Sequence, residues 1–226
     1  MTAPRPPKGE PKKAPSFGGG WGRLPKPTRL SKTMLGLKLA TDPRWVDIAE
    51  KNIGEILIDH AYCEQKAASN GISLIIQFPE RTKLVAVMAE LVAEEWQHFE
   101  RVLAELAKRG YGLGPKRTDA YAVQLNKLER KGGPIERQLM DKLLISALIE
   151  ARSCERFRLL SLHVADENLR GFYHELMVSE AGHYRTFLEL AQEYMPAEAV
   201  RQRWEELLEA EADIIGSLEI RADRMH

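Results

Sequence analysis

The sequence predicts an all-α protein: a four-helix bundle with one long crossover and an extra C-terminal helix. Three observations carry that expectation. Strand signals are nearly absent beyond residue 41; only residues 72–78 hold strand-like content. Four stretches of about 28–35 residues repeat apolar side chains at helical period between Pro and Gly punctuation. Two connections between these stretches are tight turns, and the third is long.

Each element has a start and a stop. Asp42-Pro43 reads as an N-cap followed by Pro at the first helical position, opening a helix over 43–78. Gly71 interrupts it at a cost of about 1 kcal/mol relative to Ala, and Pro79 marks the turn. A second helix covers 80–109 and stops at Gly110. The segment 111–133 is looser, with Gly112, Gly114 and Pro115 and one short amphipathic stretch at 120–130. Gly132-Gly133-Pro134 starts a third long helix over 134–165. Asp166 caps a fourth over 167–194, which Pro196 ends, and a polar helix covers 197–217. Hairpin, crossover, hairpin is the connectivity of ferritin-like folds.

Composition bounds the function. The 226 residues are 44% hydrophobic and 29% charged, as in a globular protein with a buried core. No apolar run of about 18 residues exists, so no membrane helix is expected. The N-terminal residues lack the apolar core of a secretory signal, and the expected location is cytoplasmic. Two cysteines, Cys63 and Cys154, are too few for a disulfide framework or a cysteine zinc cage. Formal charge is balanced, 33 basic against 33 acidic, but unevenly spread. Residues 1–31 hold seven basic side chains and one acid, a surplus of +6 that leaves −6 on residues 32–226. The same segment contains seven of the twelve prolines. It reads as a flexible basic Pro/Lys/Gly-rich arm, residues 1–31, ahead of a helical domain, residues 32–226. The arm is either a solubilising leader or an RNA-contacting tail.

Bundles of this kind hold metal in their core. Two helices each give a Glu, and the other two each give Glu-x-x-His, whose members share a helix face. Glu95-Trp96-Gln97-His98 lies in the middle of the second helix and Glu180-Ala181-Gly182-His183 in the middle of the fourth. One such motif is weak evidence in a Glu-rich chain; two at matching positions are much stronger. In an antiparallel pair, residues at one level are equidistant from the turn. Glu64 and Glu95 have their midpoint at 79.5, on the Pro79 turn; Glu150 and Glu180 have theirs at 165, on the second turn. Asp59 with Glu95, or Glu155 with Glu180, is less well centred. The helical neighbours of Glu64, Glu95, Glu150 and Glu180 are apolar or small, where an unpaired carboxylate is costly. Glu155, flanked by Arg152 and Arg158, reads as solvated or salt-bridged. The expected ligands are Glu64, Glu95, His98, Glu150, Glu180 and His183. Their oxygen and imidazole donors suit two iron ions, with manganese second. Asp59, Glu94 and Glu155 are candidates to accept the outer N–H of a ligating imidazole. His60, Cys63, Cys154 and Tyr184 fall within a turn of the ligands and are candidates to line the cavity, with the cysteines read first as small core residues. Trp21, Trp45 and Trp204 read as packing residues.

Residues 59–68 (DHAYCEQKAA), 94–100 (EEWQHFE), 147–157 (ALIEARSCERF) and 179–184 (SEAGHY) resemble the tRNA isopentenyl-adenosine hydroxylase family, MiaE. The likeness spans roughly residues 35–226 and includes the tail run 209–215 (EAEADII); residues 147–157 are its most specific part. It implies a non-haem diiron monooxygenase that hydroxylates the isopentenyl side chain of the modified, optionally methylthiolated, adenosine next to the tRNA anticodon. It implies dioxygen and two electrons from an external donor of reductase or ferredoxin type, and a tRNA bearing a prenylated adenosine as partner. The same six positions are the metal ligands it implies. An iron-storage or peroxide-scavenging diiron protein, and a metal-free helical interaction module, are the competing expectations. Oligomeric state is left open by the sequence.

Basic residues cluster near the crossover at Lys108-Arg109, Lys116-Arg117, Lys127, Arg130-Lys131 and Arg137. They read either as phosphate contacts or as solvated helix ends. Tyr111 and Tyr121 are the aromatics placed to stack on a base.

Overall fold

A computed structural model describes residues 34–226. The basic N-terminal arm expected from the sequence lies outside the described residues. The order is α1 (Arg44–Lys51), α2 (Ile53–Gln77), α3 (Thr82–Lys108), α4 (Ala120–Asn126), α5 (Ile135–His163), α6 (Glu167–Tyr194) and α7 (Ala197–Ser217). No strand occurs among the described residues. The hairpins α2–α3 and α5–α6 form the four-helix bundle. The long crossover carries α4, and α7 packs on α4, α5 and α6. No helix among the described residues is long and apolar enough to cross a membrane.

Three expectations for the first hairpin need correction. The helix foreseen over 43–78 is broken at Asn52, whose φ is −129° and whose Nδ2 donates to the Ile48 carbonyl at 2.9 Å. That side chain satisfies an end-of-helix carbonyl and stops α1, a local competition typical of Asn. Gly71 does not interrupt α2; it lets α3 come close. A Cβ there would meet Val92 Cγ2 at 2.6 Å. The strand-like run 72–78 is helical up to Gln77, with Ile72 and Ile76 turned outward.

The start and stop chemistry is ordinary. Asp166 accepts from the backbone N–H groups of Asn168 and Leu169 and caps α6. Gly110 ends α3 with φ +74°, a conformation that suits glycine alone.

The apolar core is divided. One cluster fills the end of the bundle near the α2–α3 turn, built on Leu74, Met88, Leu143, Phe187 and residues of α7. The other fills the opposite end, built on Leu57, Val102, Phe157, Tyr173 and Trp45 of α1. Between them, at one level of the bundle, lie six buried polar side chains. Around that level α2 and α5 stand apart: no Cα atoms of the two helices come within 8 Å of each other.

Candidate metal centre

Those six side chains are Glu64 from α2, Glu95 and His98 from α3, Glu150 from α5, and Glu180 and His183 from α6. Helical spacing of three aims Glu and His of each motif at the bundle axis. The donor atoms form two overlapping quartets. Glu64, Glu95, His98 and Glu180 make one; Glu95, Glu150, Glu180 and His183 make the other. Within each quartet the donor atoms lie within 4.8 Å of one another. Glu95 and Glu180 belong to both, so they are the residues that would be shared between two bound ions. Both imidazoles present Nδ1 inward. His98 Nδ1 lies 3.4 Å from Glu95 and 3.5 Å from Glu180, and His183 Nδ1 lies 2.9 Å from Glu95 and 3.2 Å from Glu180.

Both oxygens of Glu95, Oε1 of Glu180 and Nδ1 of His98 are buried without a hydrogen-bond partner among the described residues. Orphaned buried acceptors at this density are costly unless a cation compensates them. Three carboxylates and one imidazole per quartet, with no thiolate, form the donor set of a hard to borderline divalent ion.

Electrostatics supports the same conclusion. Burial raises the carboxyl groups of Glu64 and Glu150, and burial together with the charge of Glu180 pushes Glu95 up to about 7. Burial also works against charge on Glu180, but the adjacent imidazoles of His183 and His98 hold it below the usual carboxylate range. Burial opposes protonation of His98, yet the surrounding Glu180, Glu64 and Glu95 push it up to about 12, and His183 is raised by Glu180 and Glu95. Without metal, the centre therefore stores protons on its imidazoles and shares them among its carboxyls. Metal must displace them. Loading is expected to acidify an unbuffered solution, and apparent affinity is expected to rise with pH through about 7. A pH-stat titration with a divalent ion measures the proton release; an affinity independent of pH between 6 and 8 contradicts it.

Of the outer candidates, one sits at the centre. Glu94 Oε2 lies 3.2 Å from His183 Nε2, and its Oε1 accepts from Ser179 at 2.5 Å. Glu94→Gln is expected to weaken metal binding about 10- to 100-fold, measurable by competition with a chromophoric chelator. The other three are corrections. Asp59 accepts from Met225 N at 2.8 Å and serves the chain end. Glu155 is salt-bridged, to Arg152, and buried, with Thr41 also bound to it, rather than placed at a ligating imidazole. Tyr184 donates to the Leu35 carbonyl and packs on Trp204. Each was placed near the ligands by helical proximity, but its face of the helix meets another segment. The partner that sequence reasoning left unassigned is His60, whose Nε2 lies 2.5 Å from Glu64 Oε1. Burial among Phe157 and Tyr173 depresses its imidazole to about 3, so the ring is neutral and can donate to the carboxylate. Its i,i+4 spacing from Glu64 was the available signal.

A family model described as tRNA-(MS[2]IO[6]A)-hydroxylase (MiaE) matches residues 28–226. The chain belongs to the MiaE family. Among relatives, the tRNA 2-(methylsulfanyl)-N(6)-isopentenyladenosine(37) hydroxylase of Pseudomonas putida is 40% identical over 78% of this chain and 85% of its own. The protein of the same name from Salmonella typhimurium is 30% identical over 85% of this chain and 88% of its own. A solved structure, a Synechococcus protein with aldehyde deformylating oxygenase activity, superposes with a TM-score of 0.80 at 36% identity. That match covers 84% of this chain and 94% of the other. The architecture is thus the ferritin-like diiron fold.

In this MiaE-family chain a cavity of about 540 Å³ reaches Glu150 from the surface. Cys63 lines it; Cys154 does not, its thiol donating to the Met177 carbonyl and pushed up to about 12 by burial. Tyr121 is another correction. It is fully buried, its hydroxyl bonded to Glu211, and stacks on no incoming base. Tyr111 is exposed but lies against Gly54. The basic cluster near the crossover is largely spent on ion pairs. Arg109 engages Glu105 and Asp166, Arg117 engages Glu55, and Arg130 engages Asp141. Lys108 engages Glu105 and Lys131 engages Glu129. Lys116, Lys127 and Arg137 have no ion pair among the described residues.

Proposed function

We propose that this chain hydroxylates the isopentenyl side chain of the modified, optionally methylthiolated, adenosine next to the anticodon of tRNA. Residues 32–226 would carry the reaction, in the cytoplasm, with electrons from an external reductase or ferredoxin. The observation that carries the proposal is the buried pair of quartets at the end of an open cavity, in a chain of this family. Glu64, Glu95, His98 and Glu180 would hold one iron; Glu95, Glu150, Glu180 and His183 the other. When bound, the iron pair supplies the activation of dioxygen and the oxidising power needed to attack an unactivated C–H bond, which no side chain can provide. The protein's own part is positional. Glu95 and Glu180 fix the spacing of the two positions. Glu94 and His60 orient His183 and Glu64 from outside. The two apolar clusters above and below exclude water from everything but the cavity side.

The test compares tRNA nucleosides from a deletion strain and its parent, in a host that makes the prenylated adenosine. The hydroxylated form is expected to vanish on deletion and return with the intact gene. An unchanged ratio overturns the proposal. An iron-storage protein would instead form a large assembly loading far more than two irons per chain.

A further inference from the structure

The cavity that reaches Glu150 is a groove between the splayed helices α2 and α5, roofed by the crossover. Its lining changes character with distance from the metal centre. Nearest the centre, Ala67, Ile149 and Phe187 make the walls apolar. One turn out, at Ser146, about 6 Å along α5 from Glu150, the groove turns polar. There Asn70 Nδ2 donates to Ser146 Oγ at 2.9 Å, bridging the two helices. That bond uses one of the four hydrogen-bonding sites of the Asn amide. Oδ1 and the second N–H remain, an acceptor and a donor side by side. Two cations of the lining have no ion pair among the described residues. Lys116, on the crossover, is exposed; Lys66 is two residues from Glu64 on α2 and its ammonium is buried, so Lys116 is the outer cation.

Apolar, then amide, then cationic is also the order of groups along a prenylated nucleotide: hydrocarbon chain, base edge, phosphate. An isopentenyl chain reaching from N6 to the metal centre spans about one helical turn, the offset between Ser146 and Glu150. Asn presents its acceptor and donor to adenine as a pair, matching N6–H and an adjacent ring nitrogen. We propose that the groove takes the nucleotide prenyl end first, that the Asn70–Ser146 pair reads the adenine edge, and that Lys116 takes a flanking phosphate. Asn70 and Ala67 are thereby specificity-determining residues. A base reaches this depth only when splayed out of its loop, as single-stranded RNA permits.

This inference rests on the proposed function, and its test separates the two. The probes are a synthetic anticodon stem-loop carrying N6-isopentenyladenosine after the anticodon and the same RNA with plain adenosine. Affinities are measured by fluorescence anisotropy on iron-loaded protein of wild-type metal content and helicity. Wild type is expected to prefer the prenylated probe. Asn70→Ala is expected to weaken both probes about tenfold. Ala67→Leu, which fills the apolar floor, is expected to erase the preference and leave the plain probe unchanged. Lys116→Glu is expected to weaken both and to flatten the salt dependence by about one charge. Should Ala67→Leu misfold, Ala67→Val gives the same readout with less bulk. Asn70→Ala and the folded Ala67 variant both binding the two probes within twofold of wild type would overturn the groove assignment. Wild-type protein that binds selectively yet yields no hydroxylated nucleoside under reducing, aerobic conditions overturns the function and leaves the groove standing.

Discussion

Glu95→Ala is expected to empty both metal positions at once and to abolish hydroxylation. Glu95 belongs to both quartets, so its loss leaves each with three donors, one of them the shared Glu180. The effect should exceed the roughly 10- to 100-fold that removal of an outer partner costs. Glu64→Ala is the internal control. Glu64 belongs to one quartet, and its removal should vacate one position. Elemental analysis after anaerobic reconstitution with ferrous iron reads both outcomes. Stability should move in opposite directions with and without metal. In metal-free protein, Glu95 is a buried carboxyl whose two oxygens lack hydrogen-bond partners, raised to about 7 by burial and by Glu180. Replacing it with the best helix former leaves the metal-free Tm unchanged or higher. In the presence of metal, wild type gains binding free energy that the variant lacks, and the order reverses. A Glu95→Ala protein that retains its full metal complement would refute the bridging role. A wild type that takes up no iron or manganese would favour a metal-free interaction module.

The centre was legible because every signal it needs is local or fixed by a turn. Glu-x-x-His is a helical repeat, and an antiparallel hairpin ties Glu64 to Glu95 and Glu150 to Glu180 by distance from the turn. Residues whose surroundings come from distant segments were misread. Glu155, with arginines at i−3 and i+3, read as solvated or salt-bridged; the pairing with Arg152 is present, but the site is buried. In the folded chain, Thr41 N and Oγ1 bind it from 114 residues away. Tyr121 sits in the crossover near basic residues and so looked like a base-stacking residue. Its hydroxyl instead meets Glu211, 90 residues on. The crossover's positive charge looked available for RNA because the partners of Arg117 and Arg130 lie on other helices, Glu55 on α2 and Asp141 on α5; Glu105, on α3 one turn before Lys108 and Arg109, was a local signal. Helical period and turn position cannot encode which helix covers a given face, so the packing of α1, α7 and the 34–43 segment onto the bundle had no sequence signature.

That added packing predicts the second large effect. Arg152→Ala is expected to destabilise the fold by about 3–5 kcal/mol, the cost of removing one partner from a buried ion pair. Arg152 is 0% exposed. Its guanidinium donates to Glu211 Oε1 at 2.9 and 2.7 Å, to the Leu39 carbonyl at 2.9 Å, and to Glu155. One side chain on α5 thus anchors α7 and the segment before α1. Its removal strands two buried carboxylates, Glu155 and Glu211. Tm should fall by about 10 °C in a domain of this size. The pH dependence identifies the cause. Burial already lifts Glu211 above its ordinary value despite Arg152. Without the arginine, Glu211 should bind a proton more readily folded than unfolded. Stability lost at neutral pH is then recovered as pH falls toward the raised value of Glu211, so the gap between variant and wild type narrows from pH 8 to pH 5. A gap constant across that range would point to lost packing instead. The triple variant Arg152→Met, Glu155→Gln, Glu211→Gln strands no charge and should regain most of the loss. Metal content measured below the lowered Tm should stay at the wild-type value in Arg152→Ala, because the arginine touches none of the six ligands and stabilises the scaffold around them.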